Sequence, residues 1–378
     1  MAKAVIGQHV ISVGEALPWP LYDLEGRLLL EAGEIIRSRR QMDALVRRGI
    51  RGDPPKTETP SVVVTPRPKG QEIEDDASPF ERLDGVVRRL RGVFRFVIEG
   101  REEGGERLLS VVKDLRDLFK FNPDAMIGAV HLSHEYDYTL CHPIHCAILC
   151  EMMGHVLSYE DSRINSLVGA ALTQNLGMLK LQETLQDQAA PLSDAQRQEI
   201  RVHPALGVQI LRKAKVEDPR WLAAVAQHHE RFDGKGYPKG VAGNKLLQES
   251  QILGLSDRYS AMISGRSYRD GRQAKAALRD IFLGQSKEFV AEITQRFIRE
   301  IGVYPPGSFV KLANGEGGIV IKRGRGPLEP IVSAYLGPRG QRYVRPFRRV
   351  TSNAEYKVEG SFWPDNSAPI NLTQIFAA

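Results

Sequence analysis

The sequence predicts a mainly α-helical protein with a small α/β module before the helices and a small β-rich module after them. Apolar residues recur at steps of three and four through the middle of the chain, which is typical of amphipathic helices. A proline-rich stretch without this period precedes the middle, and short β-prone runs broken by Gly and Pro follow it. These changes predict four parts, residues 1–52, 53–80, 81–303 and 304–378.

The N-terminal module, residues 1–52, is predicted to contain a β-hairpin and one helix. The segments LYDL and RLLL form the hairpin around a turn at Glu25-Gly26, and SRRQMDALVRRGI forms an amphipathic helix that ends at Gly49. Residues 53–80 combine mixed charge with many prolines and little apolar periodicity. They are therefore predicted to be a semi-extended linker.

Residues 81–303 form the predicted helical domain. The segments ERLDGVVRRLRGVFRFVIEG and ERLLSVVKDLRDLFK carry the helical apolar period, which continues to about Ile301. N-cap pairs and first-position prolines mark predicted helix starts at Ser158 with Asp161, Ser193 with Gln196, Pro204 and Pro219. From Tyr304 onward, the β-prone runs GSFVKL, GGIVIK, PIVSAYL and RYVRPF predict a small barrel or sheet.

Composition excludes several classes of protein. The 378 residues are 42% hydrophobic and 26% charged, and no segment approaches the roughly 20 uninterrupted apolar residues of a membrane helix. The N-terminus lacks the charged start and the apolar core of a signal peptide. We therefore expect a cytoplasmic protein that does not bind membranes.

Charge and cysteine usage narrow the partners further. The net charge is +6, and basic side chains are concentrated between Lys322 and Arg349. No nucleic-acid motif accompanies this cluster, so we interpret it as a solvated positive face and expect no nucleic-acid partner. Cys141, Cys146 and Cys150 include no CxxC pair, which favours reduced, packed thiols over a disulfide or a zinc ribbon.

Histidines are the strongest compositional signal. Eight of the nine lie between His131 and His229, and neutral imidazole is the commonest metal ligand in proteins. His228 and His229 stand at the predicted end of the helix WLAAVAQHHE, where their side chains point about 100° apart. Both can reach one metal only at the helix end, where the following DGKGYP turn lets the backbone bend. A bare turn would explain DGKGYP but not the paired histidines.

Three segments, HHE, DGKGYP and LSDRYSAMISGRSYR, together resemble the signature of the HD-GYP family. The resemblance extends from about Tyr138 to Ile301. It implies an all-helical HD-type fold and hydrolysis of cyclic di-GMP by two or three metals, often iron or manganese. These metals would activate a water and bridge the scissile phosphate.

The resemblance also implies site residues. Five metal-ligand positions of the family are matched by His142, His203, His228, His229 and Asp257. The implied nucleotide-binding residues are Tyr237, Arg266, Arg269, Asp233 and Gly236. Arginine suits phosphate oxygens because its planar fork donates two hydrogen bonds at once. The alternative is that both arginines pair with nearby acids such as Asp270.

One segment departs from the family pattern. Where the family has His-Asp-Ile-Gly-Lys, this chain has Gln174-Asn175-Leu176-Gly177-Met178, so a histidine ligand, a bridging carboxylate and a lysine are replaced. Tyr138 stands where members with a third metal have a glutamate. Asp257 is then the only matched carboxylate, and two divalent ions would be poorly held. We expect at most one transition metal, Fe, Mn or Zn, and no two- or three-metal centre.

Three functional hypotheses follow from this pattern. The first is a cyclic di-GMP signalling protein with a degenerate metal site, little or no hydrolysis, and a role in nucleotide or protein binding. The alternative is an active metal-dependent cyclic di-GMP phosphodiesterase with an altered metal site. The third is a scaffold that docks a diguanylate cyclase or another signalling protein through the GYP loop. The oligomeric state and the input signal stay open.

Overall fold

The structure is a computed structural model that describes residues 21–22, 28–31, 33–34, 51–52, 77–133, 136–264, 273–362 and 370–377. The chain forms two compact units, and the larger one contains the helices and the C-terminal sheet. In the smaller unit, three short strands are described: β1 (Leu21–Tyr22), β2 (Leu28–Leu30) and β3 (Arg51–Gly52). They form an antiparallel sheet in the order β2-β1-β3.

The pairing of β1 with β2 agrees with the predicted N-terminal hairpin. Its predicted turn at Glu25-Gly26, the predicted helix that ends at Gly49 and most of the predicted linker lie outside the described residues. The division of the chain into four parts therefore stays a prediction.

Eleven described helices form the core of the larger unit. They are α1 (Pro79–Ile98), α2 (Gly104–Phe121), α3 (Pro123–Leu132), α4 (Tyr138–Val156), α5 (Asp161–Thr173), α6 (Leu179–Asp187), α7 (Asp194–Lys213), α8 (Pro219–Gln227), α9 (Gln248–Ile263), α10 (Ala274–Glu288) and α11 (Ala291–Ile301). Among these described helices, none presents a stretch that could span a lipid bilayer.

Local signals set several of the helix starts. Ser193 and Gln196 form the predicted capping box at the start of α7, in which side chain and backbone satisfy each other's donors. Pro219 is the first residue of α8, as predicted. The Ser158 prediction is wrong, because Ser158 has a positive φ and Glu160 is the N-cap of α5. The Pro204 prediction is also wrong, because this proline lies inside α7.

Helix α4 is the central element of the bundle. It is apolar on all sides, and nearly all of its residues are buried, which is typical of a helix enclosed by its neighbours. It packs against α5 and α9. Its three cysteines are buried free thiols, as predicted. Polar side chains on α4 therefore point into the protein, where they need partners.

A five-stranded antiparallel sheet follows the helices. Its strands are β4 (Phe309–Leu312), β5 (Gly317–Lys322), β6 (Ile331–Leu336), β7 (Arg342–Val350) and β8 (Val358–Ser361), in the order β7-β6-β5-β4-β8. Its small core contains Val310, Leu312, Val320, Val332 and Val358. A last short helix, α12 (Leu372–Phe376), packs against both α1 and the sheet.

The predicted fold class is confirmed: a mainly α, HD-type helical domain is followed by a small β-rich module and preceded by short N-terminal strands. The sheet is tied to the helices by Arg323, which forms ion pairs with Asp124 on α3 and Glu300 on α11. The aromatic ring of Phe376 packs on Phe80, with 4.9 Å between ring centroids.

Candidate metal centre

Four helices bring the predicted metal ligands to one region of the larger unit. The ligands lie on α4 (His142), α7 (His203), the end of α8 (His228 and His229) and α9 (Asp257). Within the described residues they fall into two neighbouring clusters, each with three possible ligand atoms that lie within 4.8 Å of one another. One cluster holds three histidines, and the other combines a histidine, a cysteine and an aspartate.

The first cluster consists of His203, His228 and His229. The Nε2 atoms of His203 and His228 are 3.2 Å apart. Their Nδ1 atoms lie 2.6 and 2.7 Å from the backbone carbonyl oxygens of Ile200 and Val225. Because a carbonyl can only accept, Nδ1 carries the proton and Nε2 keeps a lone pair. This arrangement orients both imidazoles as metal ligands.

Burial keeps these three imidazoles neutral. Burial and the neighbouring His228 lower the pKa of His203 to about 3. The pKa of His228 is lowered, and that of His229 is well below its ordinary value, mainly because burial disfavours the charged ring. Since only a neutral imidazole can bind a metal, the cluster stays competent as a ligand set at acidic pH.

The second cluster consists of His142, Cys146 and Asp257. His142 Nε2 lies 2.7 Å from Asp257 Oδ1 and 3.6 Å from Cys146 Sγ. On the other side of the ring, His142 Nδ1 lies 3.2 Å from the hydroxyl of Ser260. Burial would raise the pKa of Asp257, but His142, His229 and His228 outweigh it and lower that pKa. Asp257 is therefore a carboxylate.

Gln174 and Asn175 lie beside these clusters. Gln174 is the C-cap of α5, and Asn175 leads into a short 3₁₀ turn at Leu176–Met178. Gln174 is 0% exposed and Asn175 is 4% exposed. Within the described part of the chain, the amide of Gln174 has no hydrogen-bond partner beyond its contact with the Cys146 thiol, and the Oδ1 of Asn175 has none. Buried polar atoms without partners cost about 1–3 kcal/mol each, so they point to a bound species at this place.

Gly177 lets this turn approach α7. A Cβ on Gly177 would lie 2.2 Å from the carbonyl oxygen of His203 and 2.8 Å from the backbone nitrogen of Gly207. These are backbone atoms that cannot move aside easily. Only glycine therefore permits this contact, and the contact sets the position of Gln174 and Asn175 relative to His203.

The donor set of the two clusters fits a transition metal. Imidazole, carboxylate and thiol groups suit zinc and the neighbouring divalent ions, and the unpartnered amides beside them offer further oxygen atoms. Within the two clusters, Asp257 is the only carboxylate. Glu230 belongs to neither cluster, and its oxygens accept hydrogen bonds from the backbone N–H groups of Lys239 and Val241, at 2.7 and 3.0 Å.

The DGKGYP loop closes over the first cluster. The ring of Tyr237 stacks on His229, with centroids 4.6 Å apart, and its backbone N–H donates to the His229 carbonyl. Gly236 allows the close approach, since a Cβ there would lie within 2.5 Å of backbone atoms of His229 and Glu230. Asp233 does not line the cavity and instead forms an ion pair with Arg231 at 2.7 Å.

A cavity of about 490 Å³ opens beside both clusters. Its lining includes Tyr138, His142, Asn175, Met178, Gln182, His229, Tyr237 and Asp257. Tyr138 stacks on His142, with centroids 4.8 Å apart. No Lys or Arg is found among the described residues that line this cavity. Arg266 and Arg269, the predicted phosphate contacts, lie outside the described residues.

Two residues of this site are not among the predicted site residues. Cys146 joins His142 and Asp257, whereas the sequence suggested only a packed thiol; the available signal was its position one helical turn after His142. Gln182 lines the cavity and its Oε1 has no partner within the described residues. Its signal was the same spacing, four residues after Met178.

Comparison with known proteins agrees with this geometry. Residues 115–289 match the sequence profile of the HD domain. The cyclic di-GMP phosphodiesterase PA4108 of Pseudomonas aeruginosa is 26% identical over 221 residues, which cover 58% of this chain and 53% of that protein. The 3'3'-cGAMP-specific phosphodiesterase 3 of Vibrio cholerae is 30% identical over 142 residues, 37% of this chain and 30% of that protein.

A solved structure supports the same fold. Bd1817, a HDG"Y"P protein from Bdellovibrio bacteriovorus, superimposes with a TM-score of 0.53 at 13% identity, covering 76% of this chain and 95% of that one. The chain spans about half the length, or less, of the curated relatives named above. Together with the HHE, DGKGYP and LSDRYSAM segments, the domain match and the fold lead to one conclusion. In sequence and in fold, the chain is similar to HD-GYP proteins, and its residues 115–289 match the HD domain.

Proposed function

We propose that this chain is a cyclic di-GMP signalling protein that binds nucleotide beside an altered metal site and hydrolyses it slowly or not at all. One observation carries the proposal: neutral Gln174 and Asn175 are buried at the site, at the positions of the family's histidine and bridging aspartate. The names of relatives such as PA4108 support cyclic di-GMP as the ligand class.

Charge is the reason for weak hydrolysis. Two divalent ions would bring four positive charges to a site whose clusters contain one carboxylate, Asp257, and repulsion between the ions would then be poorly compensated. A bound metal would supply Lewis-acid stabilisation of the phosphate. The residues that would hold it come from the two clusters, namely His142, His203, His228, His229 and Asp257. Asn175 keeps the size of aspartate but cannot bridge two ions as an anion does.

Nucleotide binding does not depend on that bridge. The cavity beside the clusters has a volume of about 490 Å³ and is lined by Tyr138 and Tyr237. Pockets of this size hold ligands of nucleotide dimensions in part or whole. The family resemblance adds Arg266 and Arg269 as phosphate contacts. Binding is therefore retained in this proposal while the chemical step is lost.

A second candidate is an active phosphodiesterase with one metal. The three-histidine cluster favours it, because three imidazoles with a free coordination position are a known catalytic arrangement for zinc. The substrate in that case would be cyclic di-GMP or 3'3'-cGAMP, since relatives are named for each of them.

Metal analysis and a hydrolysis assay on the purified full chain test both candidates. We expect at most one tightly bound transition metal per chain and no appreciable turnover of cyclic di-GMP or 3'3'-cGAMP with added Mn²⁺ or Fe²⁺. Calorimetry should still detect binding of cyclic di-GMP. Robust turnover would overturn the first candidate in favour of the second. Absence of nucleotide binding, together with capture of a diguanylate cyclase that nucleotide does not affect, would favour the scaffold hypothesis.

A further inference from the structure

The second cluster contains a sulfur atom that the family resemblance does not account for. Cys146 lies on α4, one turn after His142, and its side chain is fully buried. Its Sγ atom lies within 4.8 Å of ligand atoms of His142 and Asp257. A thiol in this position can do more than fill space in the core, because its neighbours His142 and Asp257 are themselves candidate metal ligands.

We propose that Cys146 is a metal ligand, and that its thiolate with His142 and Asp257 binds one divalent ion of the zinc type. As the bond between sulfur and metal forms, the S–H bond breaks and the proton leaves to solvent. The inference deepens the altered metal site of the proposed function and rests on it. In this arrangement, a thiolate replaces the negative charge of the family's bridging aspartate.

The distances fit this ligand set. A tetrahedral zinc ion with bonds of about 2.1 Å to nitrogen and about 2.3 Å to sulfur places those two atoms about 3.6 Å apart. His142 Nε2 and Cys146 Sγ are 3.6 Å apart in the structure. His142 Nε2 and Asp257 Oδ1 are 2.7 Å apart, so they must separate by roughly 0.6 Å when an ion enters between them.

Gln174 is the independent observation that points to a ligand here. Its side chain is fully buried and lies near the Cys146 thiol. Within the described residues, neither of its amide atoms has a hydrogen-bond partner other than that thiol. An ion in the cluster would accept the amide oxygen of Gln174 as a weak fourth ligand. Alternatively, it would bind a water that donates a hydrogen bond to that oxygen.

Charge favours the same arrangement. The thiolate of Cys146 and the carboxylate of Asp257 bring two negative charges, which balance one divalent ion. A thiolate also selects among metals, because soft sulfur prefers zinc and its neighbours to magnesium or calcium. The cluster therefore predicts a zinc-type preference, in contrast to the iron or manganese that the family resemblance implies.

Cobalt substitution tests the proposal on the full chain. Co²⁺ is added to metal-free protein, and absorption in the near ultraviolet is recorded, where a sulfur-to-cobalt charge-transfer band reports a thiolate ligand. We expect this band to saturate at one Co²⁺ per chain. The band should disappear in Cys146→Ser. It should persist in Cys150→Ser, the matched control, because Cys150 is an equally buried thiol one turn further along α4 whose Sγ contacts Ser256 instead.

Cobalt binding without the band in the unaltered chain would overturn the proposal, and so would a band that persists in Cys146→Ser. Failure of the chain to bind cobalt at all would also overturn it. If Cys146→Ser does not fold, as judged by circular dichroism, X-ray absorption on the zinc-loaded unaltered chain replaces it. One sulfur neighbour is then expected, and a shell of nitrogen and oxygen alone contradicts the proposal. Nucleotide binding is measured separately by calorimetry, so its absence would count against the proposed function and leave the sulfur assignment standing.

Discussion

Asn175 has almost the size of the aspartate whose place it takes, and this similarity limits what its substitution changes. The turn that carries Asn175 lies close to α7, because Gly177 contacts the backbone of His203. The same turn brings Asn175 to the cavity. Charge is what differs, because an amide has no net charge and its oxygen is a weak ligand. At the residue scale, then, the proposed function attributes the change at this site to one anion and one imidazole, and not to the shape of the turn.

Restoring both groups should raise the number of metal ions bound per chain. We expect Gln174→His with Asn175→Asp to raise the metal content to two or more ions per chain, because the added carboxylate can bridge two ions. Elemental analysis after gentle purification measures it. The same chemical changes at exposed positions, Gln198→His with Asn244→Asp, are the matched control and should leave the metal content unchanged. An unaltered metal content in the first variant would show that the two residues do not limit binding.

The buried histidines should make metal-free protein sensitive to acid. An unfolded histidine titrates near 6.5, whereas the pKa of folded His203 is about 3 and those of His228 and His229 are also lowered. Between these values the unfolded state binds more protons, so the free energy of unfolding falls as the pH falls. Each histidine contributes up to about 1.4 kcal/mol per pH unit.

Denaturant unfolding in the presence of a chelator measures this effect between about pH 6.5 and pH 4.5. Most carboxyl groups, including that of Asp257, stay ionised in this range, so their titration contributes little to the slope. In His203→Gln one titrating group is absent, so the unfolding free energy should change less steeply with pH. The decrease in slope should correspond to the uptake of up to one proton on unfolding. An equal slope in both proteins would contradict the assignment of a buried, neutral His203.

Binding of cyclic di-GMP should depend on Arg266 and Arg269. A hydrogen bond to a charged group is worth roughly 1.5–3 kcal/mol, so changing both arginines to Ala should weaken binding on the order of a hundredfold or more. Calorimetry measures this. Arg339→Ala with Arg345→Ala is the matched control, since both residues are exposed on the β module. Arg349 is unsuitable as a control because it forms an ion pair with buried Glu316. Binding lost only in the control variant would place the nucleotide on the β module.

At the scale of elements, the short turn after α5 is the most constrained part of the site. We expect Gly177→Ala to destabilise the protein by about 1–3 kcal/mol, because the added Cβ would overlap backbone atoms of α7. It should also lower metal affinity, since His203 lies on the displaced helix. Chemical denaturation and metal titration measure the two effects.

A helical glycine with free space around it is the control for that change. A Cβ on Gly92 in α1 meets nothing within 4 Å, and alanine favours helix by up to about 1 kcal/mol over glycine. Gly92→Ala should therefore leave the stability unchanged or raise it, with no effect on metal affinity. Equal destabilisation by both changes would mean that the contact of Gly177 with α7 has no special role.

The elements show how far sequence reasoning extends. The Ser193–Gln196 capping box was predictable because both partners lie within one turn and need nothing else. Ser158 carried the same local pattern, yet its backbone φ is +53° and the helix starts later. Pro204 stayed inside α7, where the packing of that helix outweighs its local preference. The approach of Cys146 to Asp257 joins two helices, and no local pattern encodes it.

At the largest scale that the structure describes, the helical domain and the C-terminal β module are held together across the predicted boundary at residue 303. Arg323 in the β module pairs with Asp124 and Glu300 of the helical domain, and the ring of Phe376 packs on Phe80 and covers Gly128. The sequence showed the change from helices to strands, but it could not show that the last helix returns to the first one. The helical domain and the β module form one compact unit.

Loss of this return contact should weaken the helical domain. We expect Phe376→Ala to lower the free energy of unfolding by roughly 1–3 kcal/mol, the range for removing a partly buried aromatic ring from its contacts. Phe282→Ala is the matched control, because Phe282 is 58% exposed and has little burial to lose. Thermal and denaturant unfolding measure both variants. A Phe376→Ala protein as stable as the control would indicate that the two parts are energetically independent.

The hydrogen bonds of Glu230 bear on how this molecule could have changed during evolution. Its two oxygens hold the backbone of the loop at Lys239 and Val241, so this part of the loop is shaped by a carboxylate that belongs to neither candidate metal cluster. Changes at Gln174 and Asn175 therefore leave these two loop contacts in place. Under the proposed function, a lineage can abandon catalysis at Gln174 and Asn175 while it continues to inherit this part of the loop.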